Sequence, residues 1–375
     1  MTEPLRVVHV VRQYAPSIGG LEDAVANLCR HLAAQPGIEI RLVTLDRLFS
    51  EPETRLAATD TVDGIPVTRI PWRGSTRYPL APSVLGAIKG ADLVHVHAVD
   101  FFFDFLAWAK PMHRLPLVAS THGGFFHTDF AATAKKVYFQ TVTRVSAAGY
   151  AAICASSEND AATFRRIAPR QTVAVENGVN IEKWADAGSR TPERTMIFIG
   201  RWSGNKRVPA LIDLIAALQR ENPAWRLIVA GVPDVETVES LQAHARAQGV
   251  AERVDVHLKP ADAELRALVG QSSYIASASS YEGFGLTIVE GMSAGLLPVV
   301  SPLAPFTKLV DALGDGVVID VADPAASAAR LEARFQNHAA ATAEARGAAM
   351  ALAGRYAWPG VAAQFREIYD RVVAR

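Results

Sequence analysis

Cysteine is almost missing from this chain: Cys29 and Cys154 are the only two in 375 residues, both in apolar contexts without metal-ligand spacing. That excludes a disulfide framework and fits buried thiols of a reducing compartment. A charge of one sign is missing too. Lys plus Arg and Asp plus Glu both number 38, so no global field recruits nucleic acid. No stretch reaches the roughly 18 uninterrupted apolar residues of a membrane-spanning helix. The apolar run Leu5 to Val11 is too short for a signal peptide and is broken by Arg6 and His9. The expected location is therefore the cytoplasm, with peripheral contact to the inner face of the plasma membrane left open. The G-x-G-x-x-G fingerprint is absent, which removes the main support for a nicotinamide cofactor. Internal repeats and disordered tracts are also lacking.

What the chain has is a regular alternation of strand-like and helical patterns. Half of its residues are apolar and a fifth charged, enough for substantial cores, and its length suits two domains. Leu5–Val11, Ile38–Leu45, Leu93–His97, Pro116–Ser120, Ala151–Ala155 and Thr172–Glu176 read as strands, several without polar alternation. Such runs belong to parallel sheets covered on both faces by helices, here including Ala24–Leu32 and Ala132–Ala148. After Asn177-Gly178-Val179 the pattern breaks, and Asp186 to Pro192 reads as a linker. It restarts with Thr195–Ile199, Arg226–Ala230, Val254–Leu258, Ser273–Ser277, Leu297–Val300 and Val317–Asp320. The expected α/β architecture is two Rossmann-like domains facing a central cleft: residues 1–185, residues 186–356, and a final helix over 357–375. The alanine-rich stretch from Pro324 to Ala353 reads as amphipathic helix.

Three places carry chemistry. The first is Ser279-Ser280-Tyr281-Glu282-Gly283-Phe284-Gly285-Leu286-Thr287-Ile288-Val289-Glu290, two carboxylates across a Gly-Phe-Gly turn that opens a helix. Gly283 and Gly285 permit unusual backbone angles, and the amides of Gly283, Phe284, Gly285 and Leu286 at a helix start suit phosphate. Glu290, one turn in, is placed to accept hydrogen bonds from a sugar's paired hydroxyls. The alternative is a polar turn that merely caps a helix. The second place is Gly200-Arg201-Trp202-Ser203-Gly204-Asn205-Lys206-Arg207, where Arg201 and Lys206 can both reach a diphosphate; two solvated cations are the plain reading. The third is Gly19-Gly20 after the first strand, where bare amides can approach a diphosphate or an acceptor group, or simply make a loop.

Histidines crowd the first half, seven of ten lying before residue 130. His95-Val96-His97 puts both rings on one strand face, yet no acid or further histidine stands at ligand spacing beside it. Structural histidines, and no metal site, are expected there. From Lys110 to Arg144 five Lys and Arg stand against one acid, Asp129, among the aromatics Phe125, Phe126, Phe130, Tyr138 and Phe139. This segment is either a core-facing helix with a solvated back or a surface for anionic lipid.

The Glu282–Glu290 stretch and its continuation Gly291-Met292-Ser293-Ala294-Gly295-Leu296-Leu297-Pro298-Val299-Val300 resemble the E-x7-E signature of retaining nucleotide-sugar glycosyltransferases of family 4, of GT-B fold. The resemblance implies that Glu282 lies near the donor sugar and that Glu290 holds the nucleotide's ribose. It implies that Arg201 and Lys206 bind the diphosphate, and that His122, after the strand ending at Ser120, lies near donor sugar and acceptor. The DxD motif of metal-dependent relatives is absent, so no cofactor or metal is expected. His122-Gly123-Gly124-Phe125-Phe126-His127-Thr128 is similar to α-mannosyltransferases of bacterial exopolysaccharide assembly, implying GDP-mannose as donor and a polyprenyl-diphosphate-linked glucose disaccharide as acceptor.

The chain departs from the family pattern at Ser301-Pro302-Leu303-Ala304-Pro305-Phe306-Thr307, where a Gly-Gly loop and an acid are usual, at Gly291 in place of alanine, and at Asn180 in place of aspartate. Alternatives are another nucleotide sugar with a soluble acceptor, a nucleotide-sugar epimerase or hydrolase, and a binding protein without chemistry. The joint presence of His122, Arg201, Lys206, Glu282 and Glu290 speaks against the last.

Overall fold

The computed structural model describes residues 3–122, 136–340 and 342–374. The chain divides into two compact units, one of residues 1–178 and 358–375, the other of residues 179–357.

In the first unit, apolar runs with little alternation form strands buried on both faces. In chain order they are β1 (Leu5–Val10), β2 (Ile38–Leu45), β3 (Thr59–Val62), β4 (Ile65–Ile70), β5 (Arg73–Ser75), β6 (Tyr78–Leu80), β7 (Leu93–His97), β8 (Leu117–Ser120), β9 (Ala152–Ala155) and β10 (Thr172–Ala174). Eight of these make one sheet in the order β10-β9-β8-β7-β1-β2-β4-β3, and β5 and β6 form a separate hairpin. β1 pairs in parallel with β2 and β7, and His9 stands opposite His95 in that register. Only β3 runs antiparallel in the large sheet, joined to β4 through Asp63 and Gly64. Both turn residues have positive φ, 50° and 79°. An Asp-Gly pair is the strongest short signal for such a hairpin. The sequence reading passed over it, because the flanking run Thr59–Val62 is polar and exposed.

One face of this sheet is covered by the helices Gly20–Ala33 and Trp358–Val373. Val25, Leu28 and Leu32 of the first pack with Val361, Phe365, Ile368 and Tyr369 of the second in one apolar cluster. The last helix begins where the ring of Trp358 fills the space a Cβ would need on Gly178, and Arg366 donates to the carbonyl of Pro36 at 3.0 Å. The other face carries the helix Phe101–Trp108. Its Asp104 is fully buried and accepts hydrogen bonds from the hydroxyls of Tyr78, Tyr138 and Ser146. These bonds fix the segment 136–147, which is helical with a π-turn over Phe139–Thr143, to that face. Residues 132–135 of the helix expected over Ala132–Ala148 lie outside the described residues.

The second unit holds β11 (Thr195–Trp202), β12 (Arg226–Pro233), β13 (Val254–Leu258), β14 (Tyr274–Ser277), β15 (Leu297–Val300) and β16 (Val317–Val318). They form a fully parallel sheet in the order β13-β12-β11-β14-β15-β16. This reversal of strand order between β11 and β14 is where open α/β sheets leave a crevice for ligands. Its core is one contiguous cluster that includes Trp202, Trp225, Tyr274 and Phe306. Both units are therefore Rossmann-like, in accord with the expected α/β class.

Two boundaries differ from the sequence reading. The segment 186–192 is not a free linker: Asp186 and Gly188 donate their amides to the carbonyls of Ser293 and Ala294, and Arg346 bonds to Asp186 at 2.6 Å and to the Ser189 carbonyl at 2.7 Å. The unit boundary instead falls after Gly178 and before Trp358. Val179 and Ala357 form an isolated parallel bridge, and Trp184 is buried in the second core. Polar, glycine-containing sequence marked a turn correctly but said nothing of what it packs on.

The ends of β11 and β12 come unusually close. Gly200 and Gly231 are register partners with φ of 152° and 153°, and a Cβ on Gly231 would stand 1.8 Å from the Gly200 carbonyl oxygen. Only glycine takes this backbone region readily, at a cost of about 1–3 kcal/mol for other residues before any clash. Gly231→Ala is expected to lower the unfolding temperature by several degrees in a thermal melt, and an unchanged melt would contradict this close approach.

Candidate active site

The second unit builds its site from two loops at the carboxyl ends of adjacent strands. β11 emerges with Arg201 exposed and Trp202 buried, then turns through a short 3-10 segment, Gly204–Lys206. Arg207 follows in the left-handed region at φ 48° and starts the helix Val208–Glu221, with Pro209 in its first turn. That strained conformation aims the Arg207 guanidinium across to β14. It donates to the carbonyls of Ala278 at 2.7 Å and Ser279 at 3.0 Å. In return the Ser280 amide donates to the Asn205 carbonyl at 2.8 Å. The two loops are thus laced together through the backbone.

This lacing brings Lys206 and Glu282 together. The Lys206 ammonium and a Glu282 carboxylate oxygen are 2.5 Å apart, both side chains about a quarter exposed. The sequence reading placed these residues in one site but assigned them separate partners, diphosphate and sugar. Side by side, they compensate each other's charge. Arg201 keeps its head in solvent at the end of its strand.

Gly285 is the glycine this turn requires: φ is 92°, and a Cβ there would lie 2.8 Å from the ring of Phe306. Gly283 shows no positive φ and has open space around it, so its freedom is not what shapes the turn. The helix Leu286–Ser293 begins directly after Gly285 with no side-chain cap, leaving first-turn amides available at its start. Gly291 is equally constrained, because a Cβ there would come within 2.7 Å of Ile275 on β14. Glycine in place of the usual alanine therefore seats this helix tightly on the strand. Glu290 is half-buried one turn in.

Sequence reasoning missed the supporting residues. Asn205 and Arg207 were read only as part of a basic loop. The Ser301–Thr307 departure was read as an uncertainty about phosphate amides, but it braces the Glu282 turn. Ser301 donates its hydroxyl to the Ser279 carbonyl at 2.6 Å, and Phe306 packs under Gly285. An aromatic where a Gly-Gly loop is usual was the available signal.

In the first unit, His122 follows β8 at φ 52°, an unfavoured conformation for a residue with a Cβ. Its neighbour Thr121 donates its backbone N–H to the Cys154 carbonyl and its hydroxyl to Asp160. His122 is half-buried and lines a small cavity with Ser156, Asn177 and Trp358. Gly123 to Thr128 lie outside the described residues.

The histidines are less isolated than their spacing suggested. His9 Nδ1 lies 2.8 Å from His97 Nε2, and His97 Nδ1 lies 2.9 Å from His122 Nε2. His95 bonds to Tyr369 at 2.6 Å through Nδ1 and to Ser120 at 2.8 Å through Nε2. Burial lowers all four pKa values, that of His9 to about 3 and that of His122 to about 4, so the rings are neutral at pH 7. Ligand atoms of His9, His95 and His97 lie within 4.8 Å of one another, close enough for a metal. As arranged, however, both nitrogens of His95 and of His97 are engaged in hydrogen bonds. Of these three rings, only His9 Nε2 lacks a partner among the described residues. The register that sets His9 against His95 is a tertiary fact that spacing could not supply.

Gly19 and Gly20 stand where expected, at the start of the helix Gly20–Ala33. Glu22, itself bonded to Ser17 at 3.1 Å, brings its carboxylate against Gly19. A negative group already occupies this helix start, which suits a hydroxyl more than a diphosphate.

Comparison with known proteins agrees with this geometry. Residues 180–347 match the family described as glycosyl transferases group 1, and residues 18–183 match glycosyltransferase family 4. A GDP-mannose:cellobiosyl-diphosphopolyprenol α-mannosyltransferase of Komagataeibacter xylinus is 45% identical over 374 residues, covering 100% of this chain and 95% of the relative. The protein of the same name from Xanthomonas campestris is 43% identical, covering 97% and 96%. Among solved structures, a glycosyltransferase from Rickettsia africae superposes with a TM-score of 0.75 at 16% identity, covering 99% of each chain, a likeness of fold. With two parallel-sheet units, an E-x7-E turn at a strand end and full-length relatives of this kind, the chain belongs to the family 4 glycosyltransferases of GT-B fold.

Proposed function

We propose that this protein transfers mannose from GDP-mannose to a disaccharide of glucose carried on polyprenyl diphosphate, with retention of the anomeric configuration. The observation that carries the reading is the laced pair of loops that sets Lys206, Glu282 and an uncapped helix start at the switch point of a parallel sheet. The full-length likeness to mannosyltransferases named for that donor and acceptor supports the choice of substrates.

In this reading the helix amides from Gly283 to Leu286, with Arg201 and Lys206, bind the diphosphate, and Glu290 binds the ribose. Bond breaking between C1 and the phosphate oxygen leaves growing charge on the diphosphate, and the two cations stabilise it more than they stabilise the bound donor. Glu282 shares Lys206 with the diphosphate and orients the mannose, and His122 is assigned to the donor sugar, as the family resemblance implies. The acceptor hydroxyl attacks from the side the diphosphate leaves, giving up its proton to a donor phosphate oxygen. Side chains and amides neutralise the diphosphate, so no metal or other cofactor takes part. The Gly19–Gly20 turn, with its carboxylate neighbour, serves the acceptor.

The described residues contain no helix long and apolar enough to cross a membrane. Contact with an anionic lipid surface fits the first unit, where Trp108, Met112, Val137 and Val145 are exposed beside exposed Arg114, Lys136 and Arg144. Lys135, Phe125, Phe126 and Phe130 of the same basic, aromatic segment lie outside the described residues.

Three outcomes are expected. Glu290→Ala should weaken GDP and GDP-mannose binding by about tenfold to a hundredfold, the loss of a hydrogen bond to a charged group, as read by calorimetry. Unchanged affinity in the folded variant would refute the ribose assignment. Lys206→Ala should lower kcat more than it weakens donor binding, in buffer with EDTA as without it; equal losses would mean uniform binding, and full loss in EDTA restored by a divalent ion would overturn the metal-free site. Wild-type protein should co-sediment with anionic liposomes at low salt and less so at high salt, and Lys136→Glu/Arg144→Glu should bind weakly, since each cation near such a surface contributes roughly 1 kcal/mol. Failure of both proteins to bind at low salt favours a soluble acceptor.

A further inference from the structure

We infer that His9 and His97 act as positioning residues that hold His122 in its Nδ1–H form, leaving Nδ1–H as the only ring donor His122 can offer to a ligand. The inference rests on the proposed placement of His122 beside the donor sugar only for its effect on turnover; the proton arrangement stands on the structure alone.

Three imidazoles form a chain in which His122 Nε2 meets His97 Nδ1 at 2.9 Å and His97 Nε2 meets His9 Nδ1 at 2.8 Å. Each neutral ring carries one proton, and each N···N contact needs one. Because His97 has a single proton to give, only two arrangements satisfy both contacts. In the first, His9 Nδ1–H donates to His97, His97 Nδ1–H donates to His122, and the His122 proton is on Nδ1. In the second, every bond is reversed, and the His9 proton is on Nε2.

His9 Nε2 decides between them. His9 is wholly buried, and this nitrogen has no partner among the described residues. The second arrangement would bury an N–H donor with nothing to receive it, whereas the first leaves only an unused lone pair. Orphaned donors are the rarer and costlier of the two in folded proteins. The stack is also held firmly: the rings of His9 and His97 are nearly parallel, 16° apart with centroids at 5.1 Å. His95 packs against both rings and is itself tied to Tyr369 of the last helix and to Ser120.

The consequence for His122 is specific. Its Nε2 lone pair is occupied by His97, so it cannot remove a proton from a substrate through that atom. Its Nδ1–H has no partner among the described residues and is free to donate to a sugar hydroxyl. The ring of free histidine prefers the opposite tautomer, with the proton on Nε2, so the chain works against an intrinsic preference.

The test is long-range 15N–1H correlation spectroscopy of the ligand-free protein with 15N-labelled histidine. His122 in wild type should give the Nδ1–H pattern. His97→Leu should move it toward Nε2–H, and His97→Asn, whose amide can take the place of Nδ1–H, should restore it. An Nε2–H pattern for His122 in wild type, or the same pattern in all three proteins, overturns the inference even if a variant folds poorly, since the wild-type spectrum needs no variant. In turnover assays His97→Leu should lower kcat by roughly a hundredfold with little change in KM, and His97→Asn should recover most of it. If the spectra follow the expected pattern but His97→Leu and His122→Ala both keep full kcat, the proton chain stands, and the placement of His122 at the donor sugar is what fails.

Discussion

The candidate site depends on one side chain whose partners are backbone carbonyls. Arg207 sits in a left-handed conformation between a 3-10 turn and a helix, and its guanidinium holds the carbonyls of Ala278 and Ser279. Hydrogen bonds to a charged donor are worth about 1.5–3 kcal/mol each, enough to set the relative position of two loops distant in the chain. The ion pair of the second unit's site follows from this link. Lys206 is the residue before Arg207, and Glu282 follows Ser279 by three positions, so fixing the backbone brings their charges together. Ser301 and Phe306 add a floor under the same turn. A parallel sheet delivers strand ends to one edge; here a buried-side cation converts that edge into a defined geometry.

The first unit solves a different problem. It places polar rings inside an apolar sheet, which is tolerable only if they are neutral and hydrogen-bonded. Burial keeps the histidines neutral, and among the described residues hydrogen bonds to one another, to Tyr369 and to Ser120 engage every ring nitrogen of His9, His95 and His97 but His9 Nε2. The last helix takes part directly, since the Tyr369 hydroxyl closes one end of the network at His95. The two units thus offer contrasting environments: a partly exposed ion pair suited to a diphosphate, and a set of uncharged, directional donors suited to a sugar.

Much of this was legible in the sequence, and the reasons are local. Short runs rich in apolar and β-branched residues such as Leu93–His97 and Leu297–Val300 announce buried strands, and the structure has them with those bounds. The Gly-Phe-Gly turn announces a helix start, and Leu286–Ser293 begins there. What failed required knowledge of neighbours. The segment 186–192 has linker chemistry but is bound by Arg346 and by the carbonyls of Ser293 and Ala294, more than a hundred residues away in the chain. His9 seemed an interruption in an apolar strand, because only the register of β1 on β7 reveals His95 and His97 beside it. Gly283 and Gly285 look alike in sequence, yet only Gly285 has the positive φ and the close ring behind it.

The proposed reaction has one stereochemical outcome. The most direct measurement is to incubate the purified protein with GDP-mannose and cellobiose linked to polyprenyl diphosphate, then determine the product's anomeric configuration by NMR. An α-mannosyl trisaccharide on the lipid, with GDP released in equal amount, is the expected result. A β-linked product, or no transfer from GDP-mannose where another nucleotide sugar reacts readily, would contradict it.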